Sequence, residues 1–188
     1  MSIHAMTTNG SAREYVERLL THLRCCASIE PEQRTSLPHR FDEKGNAWIV
    51  VRGFDAFKEL FQDDSEVANP FELIHGGQLR LQVRVRELAR TGKRLTEITA
   101  YCLSILDLSS NPNNVQCLRF DKPEGQPRGD GWEQELGDNP RHPWAHLHVN
   151  FVAGIAANDC RLPTGPLCPI LLLRAFDYWY CSTFEKKR

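Results

Sequence analysis

The stretch "QLRLQVRVREL", Gln78 to Leu88, alternates apolar and polar residues almost without fault. In an extended chain, successive side chains point to opposite faces. Leu79, Leu81, Val83 and Val85 therefore share one face, and Arg80, Gln82, Arg84 and Arg86 share the other. A helix would scatter both classes around its axis, whereas a strand separates them, so the segment predicts a half-buried strand. "ARTGK" supplies turn chemistry, and "RLTEITAYCLSILDL", Arg94 to Leu108, is expected to return as the second arm of a hairpin. "SSNPNN" ends that arm, and "VQCLRFD", Val115 to Asp121, reads as a third strand.

A sheet with one apolar face needs cover, and two segments are suited to supply it. In "SAREYVERLLTHLRCC", Ser11 to Cys26, Tyr15, Leu19, Leu20 and Leu23 recur at helical spacing, with Ser11 placed as an N-cap. Near the other end, "PLCPILLLRAFDYWYCSTF" predicts a strongly apolar helix with Pro166 and Pro169 confined to its start. Between these, "AWIVVRGF" reads as a short strand, and "DAFKELFQDD" as a short helix with Phe57, Leu60 and Phe61 inward. The expected architecture is α+β: a single antiparallel sheet of about five strands with N- and C-terminal helices packed on one face.

A length of 188 residues suits one domain spanning 1–188. Residues 1–10 are expected to lack fixed structure, and 122–141, with four glycines and three prolines, to form a long loop. The chain is 41% hydrophobic and 25% charged, the balance of an ordinary globular domain. No apolar run nears the roughly 20 residues that span a bilayer, and "MSIHAMTTNG" lacks the pattern of a signal peptide, so no membrane and a cytoplasmic location are expected. Seven cysteines, an odd number, then read as reduced thiols and not as a disulfide framework. The formal net charge of −1 leaves any attraction for nucleic acid to a local patch.

"HPWAHLHVNF", His142 to Phe151, gathers three of the seven histidines. Its period is two: Ala145, Leu147, Val149 and Phe151 share one face, and Trp144, His146, His148 and Asn150 the other. The same rule separates Leu118 and Phe120 from Arg119 and Asp121. If these strands are neighbours, the open sheet face gathers Arg80, Arg84, Arg86, Arg119, Asp121, His146, His148 and Asn150. Alternating polar residues also occur on any solvated antiparallel face, but two histidines at i, i+2 are a less usual choice there than threonine, lysine or glutamate.

Three chemistries fit these residue types. In the first, His146 and His148 serve as acid and base on a phosphodiester, since imidazole titrates near neutrality. Arg119 or Arg84 then stabilises phosphate charge and Asp121 orients an imidazole. No cofactor is required. In the second, His146 and His148 ligate a divalent metal, Zn²⁺ or Mn²⁺, with Asp121 or His142 as third ligand. In the third, the order of elements is similar to that of ubiquitin-conjugating enzymes, with "HPW" where that family has His-Pro-Asn and Cys160 as thioester acceptor, although 17 residues separate His142 from Cys160.

The order "LRFD", long loop, "HPWAHLHVN", "RLPTGP" and an aromatic helix ending "FDYWY" resembles a group of small bacterial proteins associated with toxin–antitoxin and anti-phage loci. TumE-like toxins are similar in having Arg-aromatic-Asp followed by clustered histidines. The resemblance spans about Val115 to Tyr180 and implies Arg119, Asp121, His142, His146, His148 and Arg161 as site residues. It implies a prokaryotic toxin or defence context with a partner encoded nearby, and does not identify a reaction. The residues themselves favour a toxin- or defence-type hydrolase, a nuclease or nucleotide-directed enzyme, with Arg80, Arg84, Arg86, His142, Asn150 and Arg161 available for substrate. The competing class is a non-catalytic adaptor subunit of a defence complex. Its protein partner would cover "PILLLRAFDYWY", which is apolar nearly all round.

Overall fold

The central pair of strands runs antiparallel along its whole length, from Gln78 opposite Leu106 to Arg90 opposite Lys93. The computed structural model describes residues 6–35, 37–43, 46–53, 69–90, 93–106, 117–122, 146–149, 161–163 and 167–185. Its strands are β1 (Met6–Asn9), β2 (His39–Asp42), β3 (Ala47–Arg52), β4 (Phe71–Glu72), β5 (Gln78–Arg90), β6 (Lys93–Leu106), β7 (Cys117–Lys122), β8 (His146–Val149) and β9 (Arg161–Pro163). Its α-helices are α1 (Ala12–Arg24) and α2 (Pro169–Glu185).

Among the described residues, nine strands form one sheet in the order β2-β3-β5-β6-β7-β8-β9, with β1 added to β6 and β4 to β5. Every pairing is antiparallel. The fold class is the expected α+β, and the sheet exceeds the expected five strands because short segments with weak periodicity join its edges. Residues 6–9, expected to be unstructured, form β1 against Leu95–Ile98 of β6. Of the loop expected over 122–141, Lys122 still belongs to β7. The rest of it, and the helix expected over 55–64, lie outside the described residues.

The alternation in β5 has its predicted consequence. Leu79, Leu81, Val83 and Val85 are fully buried and form one core with Ile98, Tyr101, Leu103 and Ile105 of β6 and with both helices. Ile98 and Tyr101 are three residues apart, which would put them on opposite faces of a regular strand. A register shift between Arg84 and Val85 pairs Ala100 with Arg84 and Ile98 with Val85, leaving Thr99 as an extra residue. This bulge restores both side chains to the same face. Thr99 Oγ1 donates to the Arg84 carbonyl across it, at 3.2 Å.

Each helix is fixed by its own sequence and then tied to the sheet. Ser11 caps α1 as expected: its hydroxyl accepts from the Glu14 N–H at 3.2 Å, and the Glu14 carboxylate accepts from the Ser11 N–H at 2.8 Å. Tyr15, Val16, Leu19 and Leu23 of α1 enter the core. Helix α2 starts at Pro169, where a missing N–H is harmless, and buries Ile170, Leu172, Leu173, Phe176 and Tyr180. The Tyr180 hydroxyl accepts from the His75 N–H at 3.0 Å and donates to the Gly76 carbonyl at 2.7 Å. Asp177 accepts from the Ser28 N–H at 2.8 Å, and the Tyr101 hydroxyl accepts from the Leu167 N–H at 2.9 Å. The helix thus bonds to the β4–β5 turn, to the segment after α1, and through its leading residue to β6.

Truncation of the central row should be costly. Leu81→Ala is expected to lower the unfolding free energy by about 2–5 kcal/mol, and Ser11→Ala, which removes half of the capping box, by about 1 kcal/mol. Urea denaturation followed by circular dichroism reads both as shifts in midpoint, and a Leu81→Ala midpoint equal to wild type would contradict this account of the core.

Candidate functional site

The residues singled out on β7, β8 and β9 fall into register. Asp121 pairs with His146 and Arg119 with His148. On the far side of β8, His146 pairs with Pro163 and His148 with Arg161. The rows continue inward, with Cys102 opposite Asp121 and Ser104 opposite Arg119, and then Gln82 opposite Cys102 and Arg80 opposite Ser104. Directly paired residues lie on one face of a sheet, with Cβ atoms about 4.5–5.5 Å apart. One row therefore reads Arg80, Ser104, Arg119, His148, Arg161, and the adjacent row Gln82, Cys102, Asp121, His146, Pro163.

Arg80, Gln82, Cys102 and Ser104, the inner members of these rows, lie on the face away from the helices, because Leu79, Leu81, Leu103 and Tyr101 take the helix side. His142, Asn150 and Cys160 lie outside the described residues.

The expectation of an open face needs correction on the β3 and β6 side. Ile49 and Val51 are 2% and 0% exposed, and Ala100, Cys102 and Ser104 are 7%, 6% and 4% exposed. These residues share the face of Arg84, Gln82 and Arg80 by register. In this part of the sheet both faces are buried. The signal was in the sequence: "AWIVV" is an uninterrupted apolar run, the pattern of a strand buried on both sides.

The arginine stripe divides accordingly. Arg84 Nη2 donates to Asp42 Oδ2 of β2 at 2.7 Å, with both side chains largely buried. Arg86 Nη2 donates to Glu97 Oε2 of β6 at 2.6 Å, its direct cross-strand neighbour. Both guanidiniums are thus bonded to the protein's own carboxylates, which corrects the expectation that they offer free charge to a substrate. Asp42 and Glu97 escaped sequence analysis because their pairing depends on the β2 register and on the Thr99 bulge. Arg80 has no carboxylate partner among the described residues, and its enclosed Nε is without a hydrogen-bond acceptor. Its stem passes close to Gly53, whose φ is +81° and where a Cβ would lie 2.9 Å from Arg80 Cγ and 3.0 Å from Pro70 Cα. Glycine answers both the backbone conformation and the space.

A concavity of about 580 Å³ lies between the end of α1 and the outer turns of α2. It is lined by His22, Cys25, Cys26, Arg174, Asp177 and Cys181, among others. Burial, and next the Asp177 charge, push the Cys26 thiol up to about 12. Among the described residues no group of three His, Cys, Asp or Glu side chains is arranged to hold a metal ion. The side chains of His146, His148 and Asp121 lie outside that statement. No described helix is long and apolar enough to cross a membrane. Compared with family models, curated proteins and solved structures, the chain matches none.

The thiols should separate by environment. At pH 8, Cys25, which is exposed, is expected to react with Ellman's reagent in the native protein, and buried Cys26 only after unfolding. Cys26 ionises near 9.0 when exposed and near 12 when folded, so its contribution to stability is intact below pH 9 and lost as the pH rises toward 12. Stability curves of wild type and Cys26→Ala across that range should converge as the pH rises; parallel curves would contradict the assignment.

Proposed function

We propose that the protein is a hydrolase acting on nucleic acid or a nucleotide, in a toxin or defence setting in the cytoplasm, with the β7–β9 rows as its site. The observation that carries this reading is the register itself. Asp121 stands opposite His146, and Arg119 opposite His148, so a sequence-level cluster of acid, base and cation becomes one contiguous block of four positions. His146 and His148 act as the acid–base pair, Asp121 orients and charges one imidazole, and Arg119 and Arg161 bind the phosphoryl oxygens. No metal is required by this chemistry. The resemblance of the Val115–Tyr180 pattern to toxin-associated bacterial proteins supports the same reading.

A second reading is favoured by a different observation. Leu171, Tyr178 and Trp179 of α2 are 62%, 78% and 53% exposed, an apolar strip opposite the buried face of the same helix. A binding or adaptor subunit whose protein partner covers α2 would use such a strip.

Induced expression of the native chain should slow cell growth, and a His146→Ala, His148→Ala variant, shown folded by circular dichroism, should relieve it. Removing a general acid or base typically costs about 10²–10⁴-fold in rate, enough to abolish toxicity. Equal harmlessness of both chains would shift the balance to the adaptor reading.

A further inference from the structure

We propose that the cavity between α1 and α2 is a thiol–disulfide exchange site, in which Cys25 takes up a small thiol from an anionic low-molecular-weight disulfide and Cys181, on the facing helix, displaces it to leave a Cys25–Cys181 bridge. This inference stands apart from the β7–β9 rows and from the hydrolase reading.

The cavity concentrates nucleophiles. Of the five free cysteines among the described residues, Cys25, Cys26 and Cys181 line it, together with His22, Arg174 and Asp177. Its volume of about 580 Å³ lies within the roughly 300–1,000 Å³ of small-molecule sites. Two ties hold its walls in place. Asp177 accepts from the Ser28 N–H at 2.8 Å. Cys25 lies three residues before Ser28, and Cys181 lies one helical turn after Asp177 on the same side of α2. The hydroxyl of Tyr180, next to Cys181 in the chain, is bonded to the His75 N–H and the Gly76 carbonyl. Beyond the larger effects of burial and of Asp177, the Cys26 thiol is also pushed up by Cys25 and by Cys181, as expected of sulfurs gathered at short range.

The environments divide the roles. Exchange proceeds through the thiolate and not the thiol. Cys26 is 3% exposed and its thiol stays protonated at neutral pH, so it is not the attacking group. Cys25, the C-cap residue of α1, is exposed, and Cys181 is half-buried. A reagent arriving from solvent meets Cys25 first, and Cys181 is the second thiol with open surface on the same cavity. Arg174 sets a cation on the wall, whereas the Asp177 carboxylate is engaged by the Ser28 N–H. A carboxylate on the reagent complements that arrangement. A metal ion is a poorer occupant, since among the described residues no three His, Cys, Asp or Glu side chains are arranged to hold one.

In the first step the Cys25 thiolate attacks one sulfur of the reagent RSSR. A bond forms from Cys25 Sγ to that sulfur, the reagent's own S–S bond breaks, and the departing RS⁻ takes from solvent a proton equivalent to the one Cys25 released. In the second step the Cys181 thiolate attacks Cys25 Sγ, the mixed disulfide breaks, and a second RSH leaves. Two protein thiols are oxidised to one disulfide, and one reagent disulfide is reduced to two thiols.

The test uses the full, reduced chain with oxidised glutathione at pH 8, quenched with acid at successive times and read by intact mass and peptide mapping. The expected course is a transient adduct of one glutathione on Cys25, replaced by a Cys25–Cys181 bridge. Cys181→Ser should hold the adduct on Cys25, and Cys25→Ser should form neither adduct nor bridge at this cavity. Arg174→Gln should slow the adduct several-fold with oxidised glutathione and not with cystamine, a cationic disulfide. No reaction at Cys25, an adduct there that persists in the wild-type chain, or a bridge joining other cysteines overturns the proposal. An effect of Arg174→Gln that is absent, or equal for both reagents, overturns the preference for an anionic disulfide. If a variant fails to fold by circular dichroism, the peptide map of the wild-type chain still decides which thiols react.

Discussion

The β5–β6 hairpin is the contact on which the rest of the molecule depends. Its ladder is continuous from Gln78 to Arg90 except at one bulge, and it aligns Leu79, Leu81 and Val83 with Ile105, Leu103 and Tyr101. Antiparallel pairing of strands joined by a two-residue connection carries a small loop-closure cost. Once it exists, α1 and α2 have an apolar surface on which to bury their inner faces. Four described strands attach directly to its edges, β3 and β4 to β5 and β1 and β7 to β6, and β2, β8 and β9 follow in series beyond β3 and β7. The register of the candidate site is thereby inherited, through β6 to β7 to β8 and β9, from this hairpin.

Charge on the far face follows the same geometry. An arginine stripe on an isolated strand invites an anion, but in the sheet Arg84 and Arg86 each meet a carboxylate, Asp42 from β2 and Glu97 from β6. The Arg84 pair is largely enclosed, where removing one partner would leave an uncompensated charge. These pairs make the β2–β6 portion of the face a structural layer, consistent with the burial of Ile49, Val51 and Ala100. The histidines enter the register further out, in the rows ending at β9. The polar positions there do not repeat a solvated pattern of lysine, threonine and glutamate; they sort by charge, with cations flanking one histidine and a carboxylate flanking the other.

The outer side of α2 poses a separate question of cover. A helix between sheet and solvent usually shows one apolar stripe, and α2 shows two: Leu173, Phe176 and Tyr180 inward, and Leu171, Tyr178 and Trp179 outward. The nearby cavity with its cluster of thiols belongs to this outer region and not to the histidine rows.

Local pattern alone determined much of this protein. Period two set the faces of β5, helical spacing and a capping serine set α1, and a proline start set α2, because each depends on neighbours within a few residues. The same rule separated Arg119 and Asp121 from Leu118 and Phe120. What the sequence could not supply was register between strands far apart in the chain. A slip of one residue between β7 and β8 would move one set of side chains to the opposite face, and a slip of two would set Asp121 opposite His148. Only the assembled sheet decided that Asp121 pairs with His146, that Arg161 joins Arg119 beside His148, and that Arg84 and Arg86 are already matched to carboxylates. The reason is physical: strand faces follow from backbone geometry at each residue, whereas neighbours across strands follow from hydrogen-bonded ladders that only tertiary folding brings together.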